Sequence, residues 1–204
     1  MIYDVVVVGA GPSGSTVARK VAERGFRTLL CEEHESIGRP CHCTGKLTAH
    51  AFQEFSLPRD TILNSVSSAV LHSPGNIELF IRKSRVESYI VDRELFDLRL
   101  AEIAYDSGSE LSTQTRVYDL HKDPDGLVTL DAKRMSTHLK MRTRLVVDAE
   151  GAKPILLKRL NVNVKSELLL GLQYEMNNAC LVSPDCVELY FGSDLAPGFF
   201  AWIV

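Results

Sequence analysis

The sequence predicts an α/β fold in two parts, a parallel sheet covered by helices and a smaller, mixed β-sheet region inserted into it. A continuous apolar run at residues 3–8 leads into a glycine-rich turn and a helical stretch, which is typical of a buried parallel strand. Residues 61–91 instead show short strand patterns separated by turns. A strongly helical stretch at 93–107 then returns the chain to the first part.

The individual elements follow from periodicity and from the residues that end them. Ser-Pro-Gly-Asn at 73–76 and Asp-Pro-Asp-Gly at 123–126 have clear turn chemistry. Gly25 and Gly108 are natural ends for the helical patterns that precede them. The predicted helices are 15–24, 47–55, 93–107 and 155–160. The predicted strands are 3–8, 27–31, 66–72, 77–82, 86–91, 110–120, 127–133, 139–147, 168–176, 187–191 and 199–204.

Composition and charge exclude several classes of protein. The 204 residues are 45% hydrophobic and 24% charged, which is globular composition, and a net charge of −3 gives no indication of nucleic-acid binding. Five cysteines, an odd number, indicate a reducing compartment rather than a disulfide framework. No apolar run reaches the roughly 18 residues of a spanning helix, and no basic segment of the kind found in signal peptides precedes the first strand. We therefore expect a cytoplasmic location.

The turn at 9–14, Gly-Ala-Gly-Pro-Ser-Gly, has the spacing of a Rossmann-like dinucleotide-binding loop. Gly9 permits a tight turn out of the strand, Gly11 lets the backbone approach a pyrophosphate, and Gly14 lets the helix pack closely on the strand. Glu32 follows at the end of the second strand, where a carboxylate accepts hydrogen bonds from ribose hydroxyls. An acid at this position suits NAD and the ADP part of FAD equally. The predicted nucleotide contacts are Gly9, Gly11, Pro12, Ser13, Gly14, Glu32 and Glu33.

Two later segments resemble flavoproteins with the para-hydroxybenzoate hydroxylase fold, the GR2 type of Rossmann-like FAD-binding domain. Residues 91–101, Val-Asp-Arg-Glu-Leu-Phe-Asp-Leu-Arg-Leu-Ala, are similar to their D-R-x-x-F/L-D-x-x-L segment, in which the arginine packs beside the flavin nucleotide. Residues 148–151, Asp-Ala-Glu-Gly, are similar to their A-D-G segment, although Pro154 stands where a serine is common. The resemblance implies FAD rather than NAD as the cofactor. The further cofactor contacts that it implies are Arg93, Val117 and Gly151.

Two more segments resemble the geranylgeranyl reductase family within that superfamily. Residues 37–45, Ile-Gly-Arg-Pro-Cys-His-Cys-Thr-Gly, are similar to the family's P-x-x-C-x-G loop beside the flavin, with Cys43 at the position of its cysteine. Residues 197–204 are similar to its P-x-x-Y-x-W-x-F-P substrate motif, with Phe200 for the usual tyrosine and Val204 for the usual phenylalanine. The resemblance implies that Cys43 lies beside the flavin, either as a catalytic, redox-active residue or as a neighbour that takes no part in the chemistry. The contacts that it implies are Arg39, Cys43, Thr44 and Gly45 for the cofactor and Phe199, Phe200 and Trp202 for the substrate.

Together these resemblances imply a function and a domain organisation. They imply an FAD-dependent oxidoreductase that reduces the isoprenoid (geranylgeranyl) double bonds of lipids or prenyl compounds, with ferredoxin or NAD(P)H as the electron donor. The FAD-binding domain is expected to be discontinuous, 1–60 and 92–161, and the mixed-sheet substrate domain to occupy 61–91 and 162–204. The superfamily's later G-D segment is not in the sequence. We therefore expect only the N-terminal part of such an enzyme, with a C-terminally incomplete substrate domain and weak FAD binding.

Other interpretations stay open on the residues alone. Phe-Ala-Trp-Ile at 200–203 is also a blurred relative of the W-x-W-x-I-P stretch of flavin-dependent halogenases, so a flavin monooxygenase or halogenase is a second function. A truncated nucleotide-binding domain without activity is a third. Cys41 and Cys43 with His42 match zinc patterns only weakly, so we expect no metal.

A run of basic residues at 133–165 has two interpretations. It holds nine Lys or Arg against two acids, although the whole chain is slightly acidic. Such a run is usually the solvated face of a hairpin. It also fits attraction to anionic lipid head groups, where a basic residue contributes roughly 1 kcal/mol near the surface. The second interpretation predicts peripheral contact with a membrane.

Overall fold

A computed structural model describes residues 1–152, 154–162, 168–179 and 182–204 of the chain. It combines α-helices with strands in several sheets, one of which is largely parallel, and this confirms the predicted α/β class. The helices are Pro12–Ala22 (α1), Ala49–Glu54 (α2), Arg93–Asp106 (α3) and Leu156–Arg159 (α4), with a 3-10 turn at Arg59–Thr61. The strands are Ile2–Val8 (β1), Thr28–Cys31 (β2), Lys46–Thr48 (β3), Ile62–Val66 (β4), Ser68–His72 (β5), Glu78–Arg82 (β6), Ser88–Val91 (β7), Glu110–Ser112 (β8), Thr115–Lys122 (β9), Val128–Arg134 (β10), Thr137–Asp148 (β11), Cys186–Phe191 (β12) and Phe200–Ile203 (β13).

The strands form three sheets. The largest has the order β8-β2-β1-β11-β10-β9, in which the first four strands are parallel and the last two continue as an antiparallel meander. The second has the order β13-β12-β5-β6, with a parallel pair at its centre and antiparallel pairs on both sides. The third, β3-β7-β4, is antiparallel. Strand β1 has a parallel neighbour on each side, β2 and β11, as the apolar run predicted.

Strand β1 lies inside the largest sheet and buries side chains on both faces. Val5 and Val7 pack with small residues of α1 and α3, Ala18 and Ala101 among them. Val6 and Val8 belong to a second cluster on the opposite face. Because successive side chains of a strand point to opposite faces, an uninterrupted run of valines fills two cores at once. The carboxyl end of β1, where the glycine turn begins, is therefore rigidly placed.

The chain divides into two compact units. The first is Met1–Cys41 with Glu94–Lys165, and the second is His42–Arg93 with Ser166–Val204. The first change of unit comes at residue 42, shortly before β3, which pairs antiparallel with β7 of the second unit.

Two predicted strands differ in the structure. The single strand expected at 110–120 is two, β8 and β9, because Gln114 takes a left-handed φ of 54° between them. The strand expected at 168–176 is wrong, since these residues have no regular secondary structure. Its apolar side chains are exposed, with Leu170 94% accessible, so no packed surface orders it as a strand. Across the ranges that the structure describes, no helix combines the length and apolarity needed to cross a bilayer.

Candidate functional site

The glycine turn after β1 is fixed by backbone packing at both of its ends. Gly9 has a φ of +101°, and a Cβ there would lie 2.3 Å from the carbonyl oxygen of Ala149. A Cβ on Gly14 would lie 1.8 Å from the carbonyl oxygen of Gly9. At Gly11, between them, an added Cβ would meet nothing within 4 Å. The turn is therefore closed where it packs on the sheet and open at its middle glycine, which is the space that a pyrophosphate needs.

Helix α1 begins at this turn without a side-chain cap. Gly11 is the N-cap residue and makes no capping bond, and Pro12 occupies the first helical position. The backbone amides of the first turn, including that of Ser13, form the positive end of the helix dipole. An uncapped N-terminus beside an open glycine is the arrangement that binds nucleotide phosphates. The residues present therefore fit the pyrophosphate of a dinucleotide cofactor.

Glu32, at the end of β2, holds the turn in place with its side chain. Its Oε2 accepts a hydrogen bond from the Ala10 amide at 2.9 Å. Its Oε1 accepts from the His34 amide at 2.9 Å and lies 2.6 Å from His34 Nδ1. A carboxylate offers about four acceptor positions, so these bonds leave room for a ribose hydroxyl. The structure thus adds a role that spacing did not predict, since Glu32 also orders the glycine turn.

A second group of acids lies where β11 ends, and Asp148 pairs in register with Val8 of β1. Asp148 Oδ1 accepts from the Glu150 amide at 3.0 Å, whereas Oδ2 is buried and has no hydrogen-bond partner among the residues that the structure describes. Burial raises the pKa of the Glu150 carboxyl, although the amides of Ile155 and Leu156 donate to it and oppose the shift. Buried oxygen atoms without a hydrogen-bond partner are rare. Asp148 Oδ2 is therefore a position at the carboxyl edge of the sheet that could accept a hydrogen bond from a donor.

The remaining predicted contacts of the first unit are more dispersed. Gly151 is exposed with a φ of +81°, and Glu33 Oε2 lies 3.5 Å from Arg116 Nε. The Val117 side chain is 2% exposed in the core, so only its backbone is available to a ligand. Arg39 Nε donates to Glu94 Oε1 at 2.6 Å, which raises the pKa of the guanidinium. These two residues border a surface pocket of about 550 Å³, also lined by His34, Glu35, Ser36, Pro40 and Cys41.

Within the second unit, residues 42–45, which we call the Cys43 loop, lie against Arg93. Gly45 has a φ of +78°, and a Cβ there would lie 2.4 Å from the Val91 carbonyl oxygen and 3.1 Å from Arg93 Cγ. The Gly45 amide donates to Cys43 Sγ at 3.4 Å. Three of the predicted site residues are thus placed together, and the exposed Cys43 thiol lies at the surface of this group.

The same loop is joined to the aromatic side chains of β13. Trp202 Nε1 donates to Thr44 Oγ1 at 2.7 Å. The Phe199 and Phe200 rings stack with centroids 4.2 Å apart, and both meet the Trp202 ring edge to face at about 6 Å. Phe191 of β12 adds a tilted contact to Phe200 at 5.7 Å. The three predicted substrate residues and Phe191 therefore form one aromatic surface, which we call the aromatic wall (Phe191, Phe199, Phe200 and Trp202).

A buried polar network in the second unit was not predicted. His72 Nε2 lies 3.1 Å from Glu188 Oε2, and Tyr190 donates to the same oxygen at 2.7 Å while its ring stacks on His72. The bond from Tyr190 lowers the pKa of Glu188, and the carboxylate raises the pKa of Tyr190 to about 12. Alternating polar residues on short strands carry no distinctive sequence signal, so only the pairing of β5 with β12 reveals the network.

The basic run at 133–165 does not form a continuous cationic surface in the part of the chain that the structure describes. Arg142 lies beside Asp123 and Asp125, and Lys140 lies 3.4 Å from Asp131. Lys153 and Lys165 lie outside the described residues. Over those same described ranges, no group of three or more His, Cys, Asp or Glu side chains could hold a metal ion.

Comparisons with known proteins agree with this geometry. The chain is 30% identical to the digeranylgeranylglycerophospholipid reductase of Methanocaldococcus jannaschii over 99% of its own length and 52% of that protein. A geranylgeranyl bacteriochlorophyll reductase-like protein of Thermoplasma acidophilum is 28% identical and superposes with a TM-score of 0.87, covering 98% of this chain and 53% of the other. These two proteins confirm the predicted resemblance to geranylgeranyl reductases. The chain spans about half the length of the curated relatives it matches.

A likeness to a halogenase is more distant. The myxobacterial chondrochloren halogenase is 22% identical with a TM-score of 0.63, over 78% of this chain and 39% of that one, and shows the fold alone.

The family model for FAD-dependent oxidoreductases matches residues 4–153. That range contains the open glycine turn, the uncapped helix and the acids at the carboxyl edge of the sheet. FAD is the cofactor of this family, so the predicted choice of FAD over NAD is confirmed. The chain belongs to the family of FAD-dependent oxidoreductases.

Proposed function

We propose that this chain carries the FAD-binding and substrate-binding segments of an oxidoreductase that reduces the double bonds of isoprenoid chains in lipids or prenyl compounds. The observation that carries the proposal is the aromatic wall joined to the Cys43 loop. It offers aromatic surface without a side-chain hydroxyl, because Phe200 stands in place of the tyrosine usual in the family motif. An apolar, extended chain is the ligand that such a surface favours. The names of the two reductase relatives support the same substrate class.

Six of the predicted residues have a proposed task in this function. Gly11, Pro12 and Ser13 bind the pyrophosphate through backbone, and Glu32 binds the ribose. Cys43 and Arg93 are further proposed flavin contacts, with Cys43 as the catalytic side chain. When bound and reduced by the electron donor, the flavin would supply the hydride that adds to one alkene carbon, while a proton adds to the other. The protein residues bind and orient the chain and exclude water from it.

Fluorescence of Trp202, the single tryptophan of the chain, tests the substrate class directly. Geranylgeraniol should change its emission saturably, whereas hexadecanol, a saturated chain, should compete weakly. Phe199→Ala should weaken the effect by removing part of the wall, and Phe26→Ala, an exposed phenylalanine of the first unit, is the matched control. Emission that is indifferent to geranylgeraniol would rule out the isoprenoid proposal.

The reaction type is tested with FAD under anaerobic conditions. With dithionite as reductant, geranylgeraniol should gain one pair of hydrogens per reduced double bond, measured by mass spectrometry. Substrate-dependent oxygen uptake in air without this product would instead establish a monooxygenase or halogenase. Substituting reduced ferredoxin or NAD(P)H for dithionite then identifies the electron donor.

Peripheral contact with a membrane is part of the proposal, because the substrate class is a lipid. Its support is the tip of the β10–β11 hairpin, where Lys133, Arg134 and Met135 are exposed. Two basic residues contribute only about 2 kcal/mol together near an anionic surface. Sedimentation with phosphatidylglycerol vesicles should therefore show weak binding that is lost at high salt and in the Lys133→Ser/Arg134→Ser variant. Equal sedimentation of the variant would rule out this contact.

A further inference from the structure

Two segments of the second unit that lie far apart in the sequence meet through one side-chain hydrogen bond. Trp202 Nε1 of β13 donates to Thr44 Oγ1, 158 residues earlier, at 2.7 Å. The Thr44 hydroxyl then donates onward to Gln173 Oε1 at 3.4 Å. The Thr44 hydroxyl therefore both accepts and donates a hydrogen bond, and consecutive hydrogen bonds of this kind strengthen one another.

The backbone on the other side of Thr44 is fixed independently. The Gly45 carbonyl accepts from the Val91 amide at 3.0 Å, and no side chain fits at Gly45. The Gly45 amide in turn donates to Cys43 Sγ at 3.4 Å. Cys43 therefore sits on a short loop with a backbone anchor at Gly45 and a side-chain anchor at Thr44.

The side-chain anchor is also part of the aromatic wall. The Trp202 ring meets Phe199 and Phe200 edge to face, and Phe199 is 56% exposed. A ligand that covers the wall contacts the same aromatic group whose indole N–H holds Thr44. Displacement or tightening of this ring changes the bond to the loop, because a hydrogen bond weakens steeply as its angle departs from linear.

We propose that Trp202 is a positioning residue, which holds the Cys43 loop through Thr44 and couples its position to occupancy of the aromatic wall by an apolar chain. This rests on the proposed function for the identity of that chain and for the chemistry of Cys43. The anchoring of the loop needs neither flavin nor substrate, because it depends only on the bond between Trp202 and Thr44 and on the close packing at Gly45.

Matched variants isolate the hydroxyl and the indole N–H. Thr44→Val removes the hydroxyl and keeps the branched shape, whereas Thr44→Ser keeps the hydroxyl. Trp202→Phe keeps a ring in the wall and removes the N–H. The readouts are acrylamide quenching of Trp202 and the alkylation rate of Cys43, with the exposed Cys41 in the same peptide map as an internal reference.

Thr44→Val should raise both Trp202 quenching and the Cys43 rate relative to Cys41, the latter by about fivefold, which corresponds to losing one ordinary hydrogen bond. Thr44→Ser should stay close to wild type. Trp202→Phe should raise the Cys43 rate as Thr44→Val does. The double variant should match Thr44→Val, because the bond between Trp202 and Thr44 is removed only once.

Three results would overturn the proposal. They are a wild-type Cys43 alkylation rate in Thr44→Val, a Cys43 rate in Thr44→Ser that is raised as in Thr44→Val, and additive effects in the double variant. If Thr44→Val does not fold by circular dichroism, Trp202→Phe still tests the same bond through the Cys43 rate. These measurements contain no flavin and no isoprenoid. An intact bond between Trp202 and Thr44, combined with no response of the Trp202 emission to geranylgeraniol, would therefore count against the proposed function alone.

Discussion

The glycine turn of the first unit and the Cys43 loop of the second unit use the same backbone device. Each places a glycine with positive φ against a backbone carbonyl at the end of a neighbouring strand. A notional Cβ on Gly9 would lie 2.3 Å from the oxygen of Ala149, the residue after β11, and one on Gly45 would lie 2.4 Å from that of Val91 in β7. Glycine adopts this conformation without penalty and allows the close approach. In both loops the glycine fixes the path of the chain relative to a sheet.

The two loops differ in what they present once they are fixed. The glycine turn presents backbone amides at an uncapped helix end, with open space at Gly11. The Cys43 loop presents side chains, and one of them, Thr44, is bonded to Trp202. A phosphate-binding turn must keep side chains away, whereas a loop that positions a thiol needs side-chain anchors. Substitutions at the two loops should therefore fail in different ways.

The largest expected effect is at Gly14. In Gly14→Ala the new Cβ would lie 1.8 Å from the Gly9 carbonyl oxygen, so α1 must move away from β1. Overpacking against a rigid backbone typically costs about 1–3 kcal/mol, and we expect the upper end or beyond here. Urea unfolding followed by circular dichroism should show it in the first unit.

Gly11→Ala is the matched control for the loss of stability expected in Gly14→Ala. An added Cβ at Gly11 meets nothing, and its φ of −69° suits alanine, so stability should fall by no more than about 1 kcal/mol, the usual cost of alanine at an N-cap. FAD binding, measured by quenching of flavin fluorescence, should nevertheless weaken strongly. A Gly11→Ala chain that binds FAD as the wild type does would show that the open space is not the phosphate site.

The second effect is at Gly45. Gly45→Ala forces a side chain into a φ of +78° and against the Val91 carbonyl, and we expect a loss of about 2–3 kcal/mol, since both strain and overpacking act. The Trp202 emission should shift as the loop leaves β13. Gly171→Ala, where a Cβ meets nothing, is the control and should leave the emission unchanged. Equal behaviour of the two variants would contradict the anchor.

The glycine turn can be predicted from the sequence because its contacts are made by backbone atoms. Glycine spacing reports where side chains are forbidden, and an apolar run before it reports a buried strand, so fold class and turn are both predicted from residues 3–14. The double role of Glu32 is not, because its bonds to Ala10 and His34 depend on the path of the turn.

The Cys43 loop can be predicted only from the resemblance of residues 37–45 to a family motif. The bond between Thr44 and Trp202 spans 158 residues, and no local pattern encodes it. The same limit explains the wrong strand at 168–176, where apolar residues satisfy strand periodicity but remain exposed. The network around Glu188 is equally hidden, since it needs β5 and β12 to pair. Periodicity predicts elements, whereas side-chain sites depend on which elements meet.

A third effect concerns acid sensitivity in the second unit. The pKa of Glu188 is lowered mainly by the bond from Tyr190 and further by His72, so its charged form is favoured in the folded state. The stabilisation is present above the unfolded pKa of roughly 4.3 and is lost as pH falls through the folded value. Glu188→Gln should remove this pH dependence and lower stability at neutral pH by about 1–2 kcal/mol. Urea unfolding followed by Trp202 fluorescence between pH 3 and 7 would measure it, with exposed Glu54→Gln as control.

The smallest effect, at Glu150 of the first unit, should have the opposite sign. Burial raises the pKa of this carboxyl, so the folded state binds its proton more tightly and stability falls as pH rises from the unfolded pKa through the folded one. Glu150→Gln keeps an acceptor for the Ile155 and Leu156 amides and removes the charge. The variant should therefore equal or slightly exceed wild-type stability at pH 7, by circular dichroism in urea. A clear loss at pH 7 but not at pH 4 would mean that the two amide bonds to the charged form outweigh its burial.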